Sequence, residues 1–357
     1  MPRIYINLKS IEENARRVLE RCSKFGVEVV GVTKVSLGDP KIAQAMRNAG
    51  IKIIGESRVE NILRMSENGI DGPFMMIRIP QKEDLPRIVK LCEYVLVSEL
   101  KTIEWMEEIA CDMNKSISAI YMVDVGDLRE GVWHEDAVEE VTQALKISKK
   151  VKVIGIGTNL GCYGGVLPSN KNLRILVEIR DMVEKKTFHK LPIVSGGNTS
   201  ALKLLENGDL PSGVNQYRVG EAIFLGTDVT NNRQIDWLIQ DAIILEAQVI
   251  EVKVKPSFPE GEIGQDAFGR KPIFIDRGKR KRAILALGEQ DIVPTGLKPL
   301  DSGIEVIHAS SDHTIIDITD LEKEIKVGDI MRFKLSYGAL LRAMTCPHVE
   351  KIYSQGV

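Results

Sequence analysis

Cysteine, histidine and aromatic residues are scarce in this chain of 357 residues, and no apolar run is long. The five cysteines (Cys22, Cys92, Cys111, Cys162, Cys346) are odd in number and contain no C-x-x-C pair. That excludes a disulfide framework or a cysteine zinc site and fits a reducing cytoplasm. The five histidines (His134, His189, His308, His313, His348) show no metal-ligand spacing, so no metal is expected. The amino terminus, MPRIYINLKSIEENARRVLERC, lacks an apolar signal core, and no stretch approaches the roughly 18 apolar residues of a membrane span. A soluble, unexported, cytoplasmic protein is the expectation. Strong charge of one sign is missing as well. Lys and Arg total 48 against 50 Asp and Glu, a net charge of -2, which gives no general attraction to nucleic acid or anionic lipid. A small molecule is the expected partner.

What is present is an ordinary globular composition, 43% apolar and 27% charged. Ser10 stands three residues before Glu13 and ahead of an amphipathic pattern, which predicts a capping box opening a helix. Short Val/Ile-rich runs then recur at 27–35, 51–57, 73–79, 93–98, 118–126, 151–159, 191–197 and 216–226, separated by helical patterns. Continuous apolar runs of this kind predict parallel strands buried on both faces. Eight of them fit a (β/α)8 TIM-type barrel, with an open doubly wound sheet as the alternative. Near residue 230 the texture changes to alternating segments such as AQVIEVKVK and TIIDITD. We therefore expect an α/β barrel over residues 8–230 and a mainly β domain over 231–357, which the strand-like residues 1–7 would join.

Active sites of β/α barrels form where the strands finish. The first run ends in Thr33-Lys34, and a lysine at that place is suited to Schiff-base chemistry, or else to an ion pair with Glu56 at the end of the second run. Runs seven and eight end in SGGNTSA and RVGEA, where Gly196, Gly197 and Gly220 accompany Asn198, Thr199 and Ser200. Glycines, hydroxyls and free helix amides make a phosphate cradle, although glycine-rich strand exits are also plain turns. The basic run from Arg277 to Arg282 reads either as a polyanion site or as a solvated face.

Lys34, VDVGDLREG, SGGNTSA and RVGEAIFLG, in this order and spacing, resemble alanine racemases and related fold-type III pyridoxal phosphate (PLP) enzymes. The segments IGQDAFG, DRGKRKRAI and LSYGALLRAM look most like the ornithine racemase branch, and the resemblance runs from Ile4 to Tyr353. It implies that Lys34 carries PLP covalently and that Arg218 approaches the pyridine nitrogen. Asn198, Thr199, Ser200 and Gly220 would hold the phosphate, and Arg129 the phenolic oxygen. Asn159 stands where alanine racemases place a histidine against the ring. Met122 replaces their carbamylated lysine, and Gly38 replaces a tyrosine shortly after the cofactor lysine.

Such a set implies an amino-acid racemase acting on a free amino acid, with ornithine first, lysine next and alanine third. The alternatives are a non-catalytic PLP-binding or homeostasis protein and a decarboxylase or aldolase of the same fold. Two proton-transfer groups are needed, one on each face of the substrate's α-carbon. Lys34 can supply one, and Tyr337 in LSYG, Asp266 in IGQDAFG or a further residue the other. Asp266, Glu289 and Asp291 are also candidates to neutralise a basic side chain. The resemblance further implies a homodimer with shared active sites.

Overall fold

A computed structural model describes residues 1–355. It falls into two compact units, Ser10–Ile239 and Met1–Lys9 with Gln240–Val357.

In the first unit all eight apolar runs form strands: Glu28–Val32, Ile53–Glu56, Phe74–Met76, Tyr94–Val97, Ile117–Asp124, Val151–Gly157, Ile193–Ser195 and Gln216–Val219. Each pairs in parallel with its neighbours, and Gln216–Val219 returns to pair with Glu28–Val32, so the sheet closes into a barrel. The open-sheet alternative is thereby excluded. A further short strand, Val132–Trp133, attaches in parallel to Ile117–Asp124. The barrel interior is filled by Val30, Ile53, Met75, Leu96, Ile120 and Met122, which explains the Val, Ile and Met content of these strands. Met122 is part of this core and is fully buried.

The second unit is an antiparallel sheet built on the long strand Ile243–Pro256, which pairs with Lys279–Leu285 and Ile330–Leu335. Arg3–Asn7 lies antiparallel to Ile243–Pro256 and parallel to Glu350–Ser354. The chain passes straight from Asn7 into the helix Leu8–Ser23. Ser10 therefore lies inside the first turn instead of capping it, and Glu13 pairs with Arg16 and Arg17. Among the described residues no helix is long and apolar enough to cross a membrane.

Candidate active site at the barrel strand ends

Lys34 opens a single 3-10 turn, Lys34–Ser36, directly after the first barrel strand. The turn reverses through Leu37 and Gly38, both in the left-handed region at φ 56° and 61°. A Cβ on Gly38 would stand 2.8 Å from the Asn61 carbonyl oxygen, so a tyrosine could not replace it without displacing the next helix. That helix, Val59–Glu67, also holds the turn through Arg64, which donates to the Leu37 carbonyl at 3.0 Å.

Glu56 ends the second strand and is fully buried. Its carboxylate accepts from the Thr33 hydroxyl at 3.0 Å and the Ser57 amide at 2.7 Å. Burial pushes its pKa up, against the opposing hydrogen bonds from Ser57, Asn61 and Thr33. The Lys34–Glu56 ion pair does not form. Lys34 is half-buried, and its ammonium makes no ion pair among the described residues.

Arg218 lies on the eighth strand and is 5% exposed. It donates to the Ser195 hydroxyl and, at 2.6 Å, to the Thr158 carbonyl, so strands six and seven fix the guanidinium between them. Among the described residues no carboxylate forms an ion pair with it. Burial lowers its pKa to about 10, with Glu130 acting in the opposite direction. The Thr158 hydroxyl beside it is buried without a hydrogen-bond partner.

The remaining barrel candidates form a connected line. Arg129 donates twice to Glu130, once at 2.6 Å. Asn159 donates to the same carboxylate at 3.2 Å and accepts from Asn198 at 3.2 Å. The Asn198 side-chain oxygen Oδ1 in turn accepts from the Ser200 amide at 2.9 Å and hydroxyl at 2.8 Å. Gly197 precedes this turn at φ 133°, a conformation that favours glycine. Thr199 accepts from the Ala222 amide at 3.3 Å, which ties the turn to the helix Glu221–Leu225 that follows Gly220.

Two acidic residues here were not singled out in the sequence. Glu130 sits inside DLREG, where its adjacency to Arg129 was the available signal. Asp127, in the same motif, accepts the backbone amides of Gly161, Cys162, Tyr163 and Val166 and so shapes the loop after strand six.

In the β unit, Tyr337 opens the helix Tyr337–Thr345, capped by Ser336. Asp266 is desolvated, but hydrogen bonds from Arg270 and the Phe268 amide outweigh that effect and hold its pKa below the usual carboxylate range. Its carboxylate meets the Arg270 guanidinium at 2.7 Å and His308 at 3.3 Å. Glu289 pairs with the same Arg270 at 2.6 Å, whereas Asp291 accepts from the Gly288 amide and the Cys346 thiol. Within the basic run, Arg277 pairs with Glu305 and Arg280 with Asp317 and Asp320.

The barrel residues fit PLP. A lysine without a counterion, two guanidiniums and a Gly-Asn-Thr-Ser turn suit an anionic ligand with an aldehyde, and the unpartnered Thr158 hydroxyl is left to accept or donate. Comparison with known proteins gives the same direction. A lysine racemase of Thermotoga maritima is 54% identical over 356 residues, covering 100% of this chain and 99% of that protein. An ornithine racemase of Acetoanaerobium sticklandii is 39% identical over 351 residues, covering 98% and 99%. The solved alanine racemase of Bartonella henselae with covalently bound pyridoxal phosphate shares the fold, with a TM-score of 0.74 at 18% identity and 99% of both chains covered. Residues 6–228 match the family described as alanine racemase, N-terminal domain, and it is to this family that the chain belongs.

Proposed function

We propose that this protein is a PLP-dependent racemase of a basic amino acid, with lysine as the leading substrate and ornithine second. The observation that carries the reading is the 54% identity, end to end, to a lysine racemase. It reverses the order of the two substrates expected from the sequence motifs alone.

When bound, PLP delocalises the electron pair left at the substrate's α-carbon as the C–H bond breaks. The chain's own residues decide the rest. Lys34 would hold the cofactor covalently, and its amine, once free, would move the α-proton on one face. Tyr337 is proposed to serve the opposite face. Asp266 is the second candidate, but its carboxylate is already committed to Arg270 and the Phe268 amide. The turn from Asn198 to Ser200, with Gly220, would receive the phosphate, and Asn159 would lie against the ring. Arg129 would meet the phenolic oxygen. Arg218 would meet the pyridine nitrogen, oppose its protonation and so favour proton return over decarboxylation. A homodimer sharing active sites, in the cytoplasm, completes the proposal, and the five unpaired cysteines support a reducing compartment.

The test has two parts. Borohydride reduction followed by peptide mass mapping should place a pyridoxyl group on Lys34. Chiral chromatography should show D-lysine and D-ornithine forming from their L-isomers faster than D-alanine from L-alanine. A label on another lysine, or turnover of alanine alone, would overturn the reading.

A further inference from the structure

The segment between Asp127 and Gly131 is fixed at both ends. Asp127 is 1% exposed and accepts four backbone amides from the loop after strand six. Gly131, at φ 115°, is pressed so closely on strand five that a Cβ would lie 2.7 Å from the Asp124 amide nitrogen. The backbone carrying Arg129 and Glu130 is thus held in place, yet the long Arg129 side chain needs a partner of its own. The partner it has is Glu130, through two charge-assisted hydrogen bonds.

Glu130 is itself held from a second direction by Asn159. Its side chain is only 17% exposed, so its charge requires compensation. Arg129 is its direct partner, and the Glu130 charge also works against the burial of Arg218. Met122, buried among apolar side chains, offers no charge to either guanidinium.

We infer that Glu130 is a positioning residue of the cofactor site, which orients Arg129 toward an anionic oxygen of the ligand without itself touching that ligand. The inference rests on the PLP reading given above. If it is correct, the effect of Glu130 on cofactor binding passes through Arg129.

A double-mutant cycle on cofactor-free protein tests this, with PLP binding followed by fluorescence titration. Glu130→Gln should weaken PLP binding by about tenfold, the scale of one lost charged hydrogen bond. In an Arg129→Gln background the same change should cost less than about twofold. Inorganic phosphate should bind Glu130→Gln at least as tightly as it binds the native protein, because the Asn198–Ser200 turn is retained and a negative charge is gone. Glu130→Asp, which keeps the charge, should recover part of the PLP affinity. Equal losses in both backgrounds, equal losses for PLP and phosphate, or unchanged PLP binding by Glu130→Gln would each overturn the inference. Failure of the native protein to take up PLP would instead overturn the function proposed above, and this inference with it.

Discussion

Arg218 concentrates the chemistry of the site in one side chain. Its guanidinium is buried and fixed by the Ser195 hydroxyl and the Thr158 carbonyl, which are neutral acceptors. Even with burial bringing its pKa to about 10, it remains protonated at neutral pH. Beside a pyridine nitrogen such a charge would keep the ring unprotonated, a weaker electron sink that limits side reactions. Replacing Arg218 by Glu should therefore lower the racemisation rate about tenfold or more and increase keto-acid formation by transamination, measured by chromatography of the products. Normal racemisation without new keto acid would show that Arg218 is not the nitrogen's partner. Lys34 was legible in the sequence because it ends an apolar run, where a cation has no ordinary reason to be, whereas Arg218 was marked by the resemblance of its RVGEA segment to the PLP family. Glu130 was not, since a glutamate next to an arginine in a loop carries no periodic signal and gains meaning only when Asn159 meets it across 29 residues.

At the scale of elements, the Lys34 turn is clamped by the next β/α unit through Glu56, Asn61 and Arg64. Burial raises the Glu56 pKa, so the folded protein holds this proton more tightly than the unfolded chain does. The corresponding stabilisation is complete below the unfolded carboxyl pKa of about 4.3 and is lost as pH rises from there toward the folded value. Glu56→Gln keeps the shape and removes the titration. The melting temperature of the native protein should fall relative to that of Glu56→Gln by about 2–4 °C for each kcal/mol as pH rises from 4 to 8. Parallel curves for the two proteins would show that Glu56 does not titrate in the folded state in this range. The eight strands that carry this arrangement were readable because strands buried on both faces must be apolar throughout. Closure was not readable, because an open sheet has the same runs. It depends on the pairing of Gln216–Val219 with Glu28–Val32, which no local pattern records. Likewise the start of the first helix at Leu8 follows from the preceding strand running directly into it, which overrode the cap expected at Ser10.

For the whole molecule, the proposed second proton-transfer group and the proposed dimer are one question. Lys34 belongs to the barrel unit and Tyr337 to the β unit. PLP chemistry also gains from excluding water at the barrel mouth. On the proposal above, Lys34 of one subunit would work with the partner subunit's Tyr337. Lys34→Ala and Tyr337→Phe proteins should each be nearly inactive alone. Mixed in equal amounts with free subunit exchange, half of the dimers would be mixed and each would hold one intact site, restoring about a quarter of native activity. Native mass spectrometry can verify the exchange. If mixed dimers form and activity does not return, these two residues are not shared across the interface. If Tyr337→Phe alone racemises normally, the opposite face belongs to another group, with Asp266 the next to replace.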